Sequence, residues 1–106
     1  MQVLIHVISK NSDSLRKKIA NDKKLGDFKL QIAKQKQMGR SPGWLTIHST
    51  YAYGAIKVEW IDSSRTLLCR AVTKGNGKPQ DIVGDFVRYV LARFRRRVEA
   101  MTIVPE

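Results

Sequence analysis

The stretch PQDIVGDFVRYVLARFRRRV, residues 79–98, decides the fold. Val83, Phe86, Val87, Val90, Leu91, Phe94 and Val98 recur at three- and four-residue spacing, which places them on one apolar stripe of an α-helix. Pro79 suits the first turn of that helix, where its missing N–H costs nothing. Arg88, Arg95 and Arg96 fall opposite the stripe, and Arg93 flanks it. Arg97 lies close to the stripe itself, so it must reach past the core edge or pair with a carboxylate from elsewhere. A helix with one apolar stripe needs a surface to cover, and the rest of the chain supplies strands.

Gln2–Ser9 is rich in β-branched residues and reads as a buried strand. Asn11, Ser12, Asp13 and Ser14 offer caps for a short helix running to about Lys24, with Leu15 and Ile19 inward and Leu25, Gly26 and Asp27 ending it. Phe28, Leu30 and Ile32 alternate with Lys29, Gln31 and Ala33, as in a half-exposed strand that fades into Lys34, Gln35, Lys36 and Gln37. Residues 39–43 form a Gly/Pro turn. The strand over residues 44–50 then sets Leu45 and Ile47 on one face and Trp44, Thr46 and His48 on the other. Residues 54–61 and 66–72 flank Asp62, Ser63, Ser64 and Arg65, a hairpin signal. Residues 74–78 are a loop, and residues 101–104 add a closing strand before Pro105.

The expected fold is therefore α+β. It is a single, mostly antiparallel sheet in the order β-α-β-β-β-β-α-β with two helices on one face, which an elaborated ferredoxin-like split βαβ arrangement satisfies. At 106 residues, with neither a repeat nor a long linker, residues 1–106 form a single basic α+β domain.

Charge narrows the function classes. Twenty Lys and Arg face nine Asp and Glu, a formal net charge of +11. Residues 1–40 carry ten basic and three acidic side chains, whereas residues 81–106 are almost balanced at five and four. A potential of this size attracts polyanions. The apolar run of Val3, Leu4, Ile5, Val7 and Ile8 has neither the basic start nor the cleavage site of a signal peptide, and nothing approaches the length of a membrane span. A cytoplasmic protein with no membrane partner is expected.

Catalytic chemistry has little to stand on. Cys69 is the one cysteine, sits inside a strand and reads as a small buried hydrophobe. His6 reads as a core histidine and His48 as an exposed sheet residue. One Cys and two scattered His make no structural zinc site, and Asp62 reads as a turn residue bonding local backbone. Neither an enzyme nor a cofactor is expected.

Two regions are candidates for anion contact. Lys34, Lys36 and Arg40 cluster on a hairpin with Trp44 just beyond it. Such a ribbon can enter a major groove, and an exposed Trp44 can stack on an unpaired base. Lys74 and Lys78 flank a Gly-rich loop leading into a helix N-terminus, although Val72 and Pro79 occupy the places a Walker A loop needs for Gly and Ser or Thr. Residues 53–60 loosely resemble the RNP1 strand of RRM domains. The resemblance lacks the basic residue before Gly54, and Ala55 and Ile56 stand where the stacking aromatics belong, so it implies no base platform there.

The expected function is nucleic-acid binding, to DNA or RNA, mainly through phosphate contacts. The alternative is a non-catalytic protein-interaction or assembly module, such as a homodimer pairing through a sheet edge. Tyr51, Tyr53, Trp60 and Tyr89 are then its aromatic anchors.

Overall fold

Alternating side chains build the sheet and a periodic stripe builds the long helix. In the computed structural model, which describes residues 2–36, 44–51, 54–73 and 79–105, eight elements follow one another. They are β1 (Gln2–Ser9), α1 (Leu15–Ala20), β2 (Leu30–Lys36), β3 (Trp44–Ser49), β4 (Ala55–Ile61), β5 (Thr66–Val72), α2 (Pro79–Phe94) and β6 (Val98–Pro105). Every neighbouring strand pair is antiparallel, and the spatial order is β2-β3-β4-β5-β1-β6. The protein is thus α+β, one antiparallel six-stranded sheet with two helices.

One face of that sheet is buried. Val3, Ile5 and Val7 of β1, Leu45 and Ile47 of β3, Ile56, Val58 and Trp60 of β4, and Leu67, Cys69 and Ala71 of β5 point into a single core. Leu15 and Ile19 of α1 and Ile82, Phe86, Tyr89 and Val90 of α2 close it from above, so both helices cover the same face. Each fully buried Val, Leu, Ile or Phe contributes about 1.5–3 kcal/mol. The opposite face has no layer over it among the described residues. Its positions run through Gln31, Trp44, His48, Lys57, Glu59, Ile61, Arg70 and Ile8, all exposed.

Polar contacts fix how the helical layer sits. Ser14 caps α1 by accepting from the Lys17 amide at 3.3 Å. Asp22 accepts from the Tyr89 hydroxyl at 2.8 Å and from Arg93 Nε at 3.1 Å, tying the chain after α1 to α2. Arg97 donates to Asp13 at 2.8 Å, the second of the two outcomes its spacing allowed.

Several expectations are corrected. The first helix ends at Ala20 rather than near Lys24, and a 3-10 turn occupies Leu25–Phe28. Phe28 is therefore not the start of a strand; its ring packs edge-on against Tyr89 with centroids 5.5 Å apart. The second helix stops at Phe94, Arg95–Arg97 form a 3-10 turn, and Val98 begins β6. A helix continued to Val98 would leave Ser9, at the end of β1, without its β6 partner, and that sheet pairing outweighs one more apolar position on the stripe. Leu91 is exposed rather than in the core, whereas Tyr89 and Trp60, read as interface anchors, are buried. Half-buried His6 lies on the uncovered face rather than in the core.

Candidate functional site

The uncovered sheet face gathers the chemistry that can meet a ligand. On β3 the alternation of Trp44, Thr46 and His48 with buried Leu45 and Ile47 turns the first three outward. On β4 the same period turns Ala55, Lys57 and Glu59 outward, and on β5 it exposes Arg70 between Cys69 and Ala71.

Register then decides who meets whom. Trp44 stands opposite Glu59, Thr46 opposite Lys57, and His48 opposite Ala55. Lys57 in turn stands directly opposite Arg70, and Glu59 opposite Leu68. Two like charges facing each other across neighbouring strands destabilise a sheet. Neither Lys57 nor Arg70 has an ion-pair partner among the described residues, and both are exposed. Their uncompensated charge is available to an anion.

Beside them lies a depression of about 510 Å³ lined by Trp44, Thr46, His48, Ala55, Lys57 and Glu59. Trp44 is 38% exposed, so part of its ring is open to solvent above strand β3. A depression of similar size on the helical side, about 540 Å³ beside Lys18, Asp22 and Arg93, is a poorer anion site. There Asp22 already holds Arg93 at 3.1 Å and Asp13 holds Lys18 at 3.6 Å.

The residues read from the sequence divide accordingly. Trp44 lies on the uncovered face. Lys36 occupies the register position opposite Trp44, and Lys34 that opposite Thr46, so the backbone brings the β2 lysines alongside the depression. Arg40, Lys74, Lys78, Tyr53 and the two loops at residues 39–43 and 74–78 lie outside the described residues. Val72, two residues before the Lys74 loop, pairs with Ala55 at the His48 end of the sheet, away from the Glu59–Trp44 row.

Lys57, Arg70 and His48 were not singled out as ligand contacts, yet a signal for the first two was available. The hairpin turning through Asp62–Ser64 pairs Ile61 with Thr66, and counting back from that pair sets Lys57 against Arg70.

Two other groups weighed for chemistry, Cys69 and Asp62, are inaccessible or occupied. Cys69 is fully buried, and burial pushes its thiol far above the usual range. Asp62 accepts from the Trp60 indole at 3.2 Å. Among the described residues no group of three or more His, Cys, Asp or Glu is placed to hold a metal ion, and no helix is long and apolar enough to cross a membrane. No protein-family model matches the chain, and neither a curated protein nor a solved structure is significantly similar to it.

Proposed function

We propose that the protein binds single-stranded nucleic acid on the uncovered face of its sheet. A base stacks on Trp44 in the depression beside His48, and the adjoining phosphates lie over Lys57 and Arg70. The observation that carries the reading is the directly opposed Lys57–Arg70 pair, exposed and without an ion-pair partner among the described residues, next to a half-exposed tryptophan. In this reading the sheet is a ferredoxin-like arrangement widened by one extra hairpin, with the helices supporting a platform rather than contacting the ligand.

Shape favours a single strand over a duplex. Six strands at about 4.8 Å spacing make a platform about 24 Å wide. A B-DNA major groove is only about 12 Å wide, so the sheet face cannot enter it. Unpaired bases can instead splay onto an open face, where stacking on an aromatic ring is worth about 1–3 kcal/mol per base. The chain's net charge of +11 draws the polyanion in, and Glu59 is the one exposed acid among the strand positions beside Trp44 and Lys57.

Fluorescence anisotropy with labelled single-stranded RNA, single-stranded DNA and duplexes of both, at near-physiological salt, tests the reading. Single strands should bind in preference to duplexes. Trp44→Ala should weaken binding by about 5- to 150-fold, the range that one lost stacking contact implies, and Trp44→Phe should retain most of the affinity. Lys57→Glu combined with Arg70→Glu should abolish tight binding. Equal affinity for duplexes, or indifference to all three positions, would reject the platform.

A further inference from the structure

The two edges of the sheet are built differently. An exposed strand edge presents unpaired N–H and C=O groups, and proteins blunt such edges with lysines, bulges or a covering layer. The β2 edge carries Lys34 and Lys36 and a register shift between Ile32 and Lys34. The β6 edge carries none of this along most of its length. Its own irregularity, opposite Ile8 and Ser9, sits at the start of the strand, and from Ala100 to Pro105 it runs in continuous register with β1. Glu99, at that irregularity, is the only charged residue in its eight.

The apolar side chains near the end of β6 are as open as its backbone. Ile103 pairs with Ile5, which places it on the helix-covered side, yet it is 45% exposed. Val104, on the opposite face, is 41% exposed, and Leu91 of α2 is 44% exposed. The long helix packs chiefly over β5 and β1, and of β6 only Val98 and Met101 pack against the core. A largely apolar strand eight residues long, at the sheet edge with no strand beyond it among the described residues, is an aggregation hazard unless something pairs with it.

We infer that the partner is a second copy of this chain, paired β6 to β6 in antiparallel fashion about a two-fold axis at Thr102. The strand is self-complementary in that register. Met101 of one copy faces Ile103 of the other on the helix side, Ala100 faces Val104 on the open side, and Thr102 meets its own equivalent. Glu99 then meets Pro105, so no like charges oppose each other within the paired stretch. The remaining positive charge acts across distances at which physiological salt, with a Debye length of about 8 Å, screens most of the repulsion.

An in-plane antiparallel join has its two-fold axis perpendicular to the sheet. The product is a continuous twelve-stranded sheet with all four helices on one side and both uncovered faces on the other. The two β3 strands lie nine strand spacings apart, about 43 Å before twist. The inference does not depend on what those faces bind.

Size-exclusion chromatography with light scattering at physiological salt should give twice the monomer mass at micromolar concentration. Thr102→Cys, oxidised with copper-phenanthroline, should form a covalent dimer, because the two Thr102 positions face each other and Cys69 is buried out of reach. Ile103→Lys should raise the dimer dissociation constant at least tenfold while leaving the circular dichroism spectrum unchanged, since the residue is half exposed in the single chain. A wild-type protein that stays monomeric at high micromolar concentration overturns the inference. So does a dimer that withstands Ile103→Lys and fails to cross-link through Thr102→Cys.

Discussion

Arg16 occupies a place that its chemistry argues against. It lies on α1 beside Leu15 and Ile19, is fully buried, and none of its three guanidinium nitrogens finds a hydrogen-bond partner among the described residues. Burial lowers its pKa below the ordinary arginine value. A buried cation without a partner is costly, and replacing buried charges by apolar residues of similar volume is often neutral or stabilising, by about 1–4 kcal/mol. Arg16→Met keeps a long flexible stem and deletes the charge. It should raise the urea midpoint with no change in the slope, a gain in stability rather than a change in compactness. A lowered midpoint would mean that the guanidinium serves an anion or carbonyl it cannot do without.

Among the elements, Asp22 is the clamp that holds the chain after α1 against α2. Its carboxylate accepts from Tyr89, from two nitrogens of Arg93, and from the Lys24 amide. Burial pushes its pKa up, but the hydrogen bonds from Arg93 and Tyr89 and the Lys24 amide together bring it below the usual carboxylate value. Asp13 is lowered as well, chiefly by its hydrogen bond from Arg97. A carboxylate whose folded pKa lies below its unfolded value of about 3.9 binds fewer protons folded than unfolded at acidic pH. Its contribution is therefore complete above that value and is lost as pH falls through the folded pKa. Urea midpoints measured from pH 6 down to pH 2 should fall steeply below about pH 4. Asp22→Asn should flatten part of that fall, and a curve of unchanged shape would remove Asp22 from the account. At neutral pH Asp22→Ala should cost about 1–3 kcal/mol, because it strands the buried Tyr89 hydroxyl.

The same elements show what the sequence discloses. Strands with a strict period of two, such as Trp44–Ser49 and Thr66–Val72, were legible to within a residue because one face is apolar and the other is not. The end of α2 was not. Val98 continues the helical spacing from Phe94, and only the demand of β1 for a neighbour converts it to strand. Leu91 misled for a related reason: a helix wheel knows the stripe but not how wide a sheet lies beneath it. The candidate site was half legible. Trp44 was visible as an aromatic on the face opposite Leu45 and Ile47, though its exposure was not, whereas Lys57 and Arg70 become a pair only once the hairpin register is counted out.

Over the whole molecule the question is whether +11 is a local tool or a general property of the surface. Binding to single strands weakens with salt by a logarithmic slope of about 0.7 for each phosphate contact. If Lys57 and Arg70 each hold one phosphate, Lys57→Ala with Arg70→Ala should reduce that slope by about 1.4 and weaken binding most at low salt. Lys17 and Lys23 are exposed too but belong to α1 and the turn that follows it, in the helical layer. Removing them with Lys17→Ala and Lys23→Ala takes away the same two charges and the same share of long-range attraction. That pair should slow association slightly and leave the slope almost unchanged, because steering follows net charge whereas counterion release follows contacts. Equal losses from the two double variants would make the charge a diffuse attractant and strip the sheet face of its role. Unequal losses would place the binding on one side of a molecule whose other side exists to hold it flat.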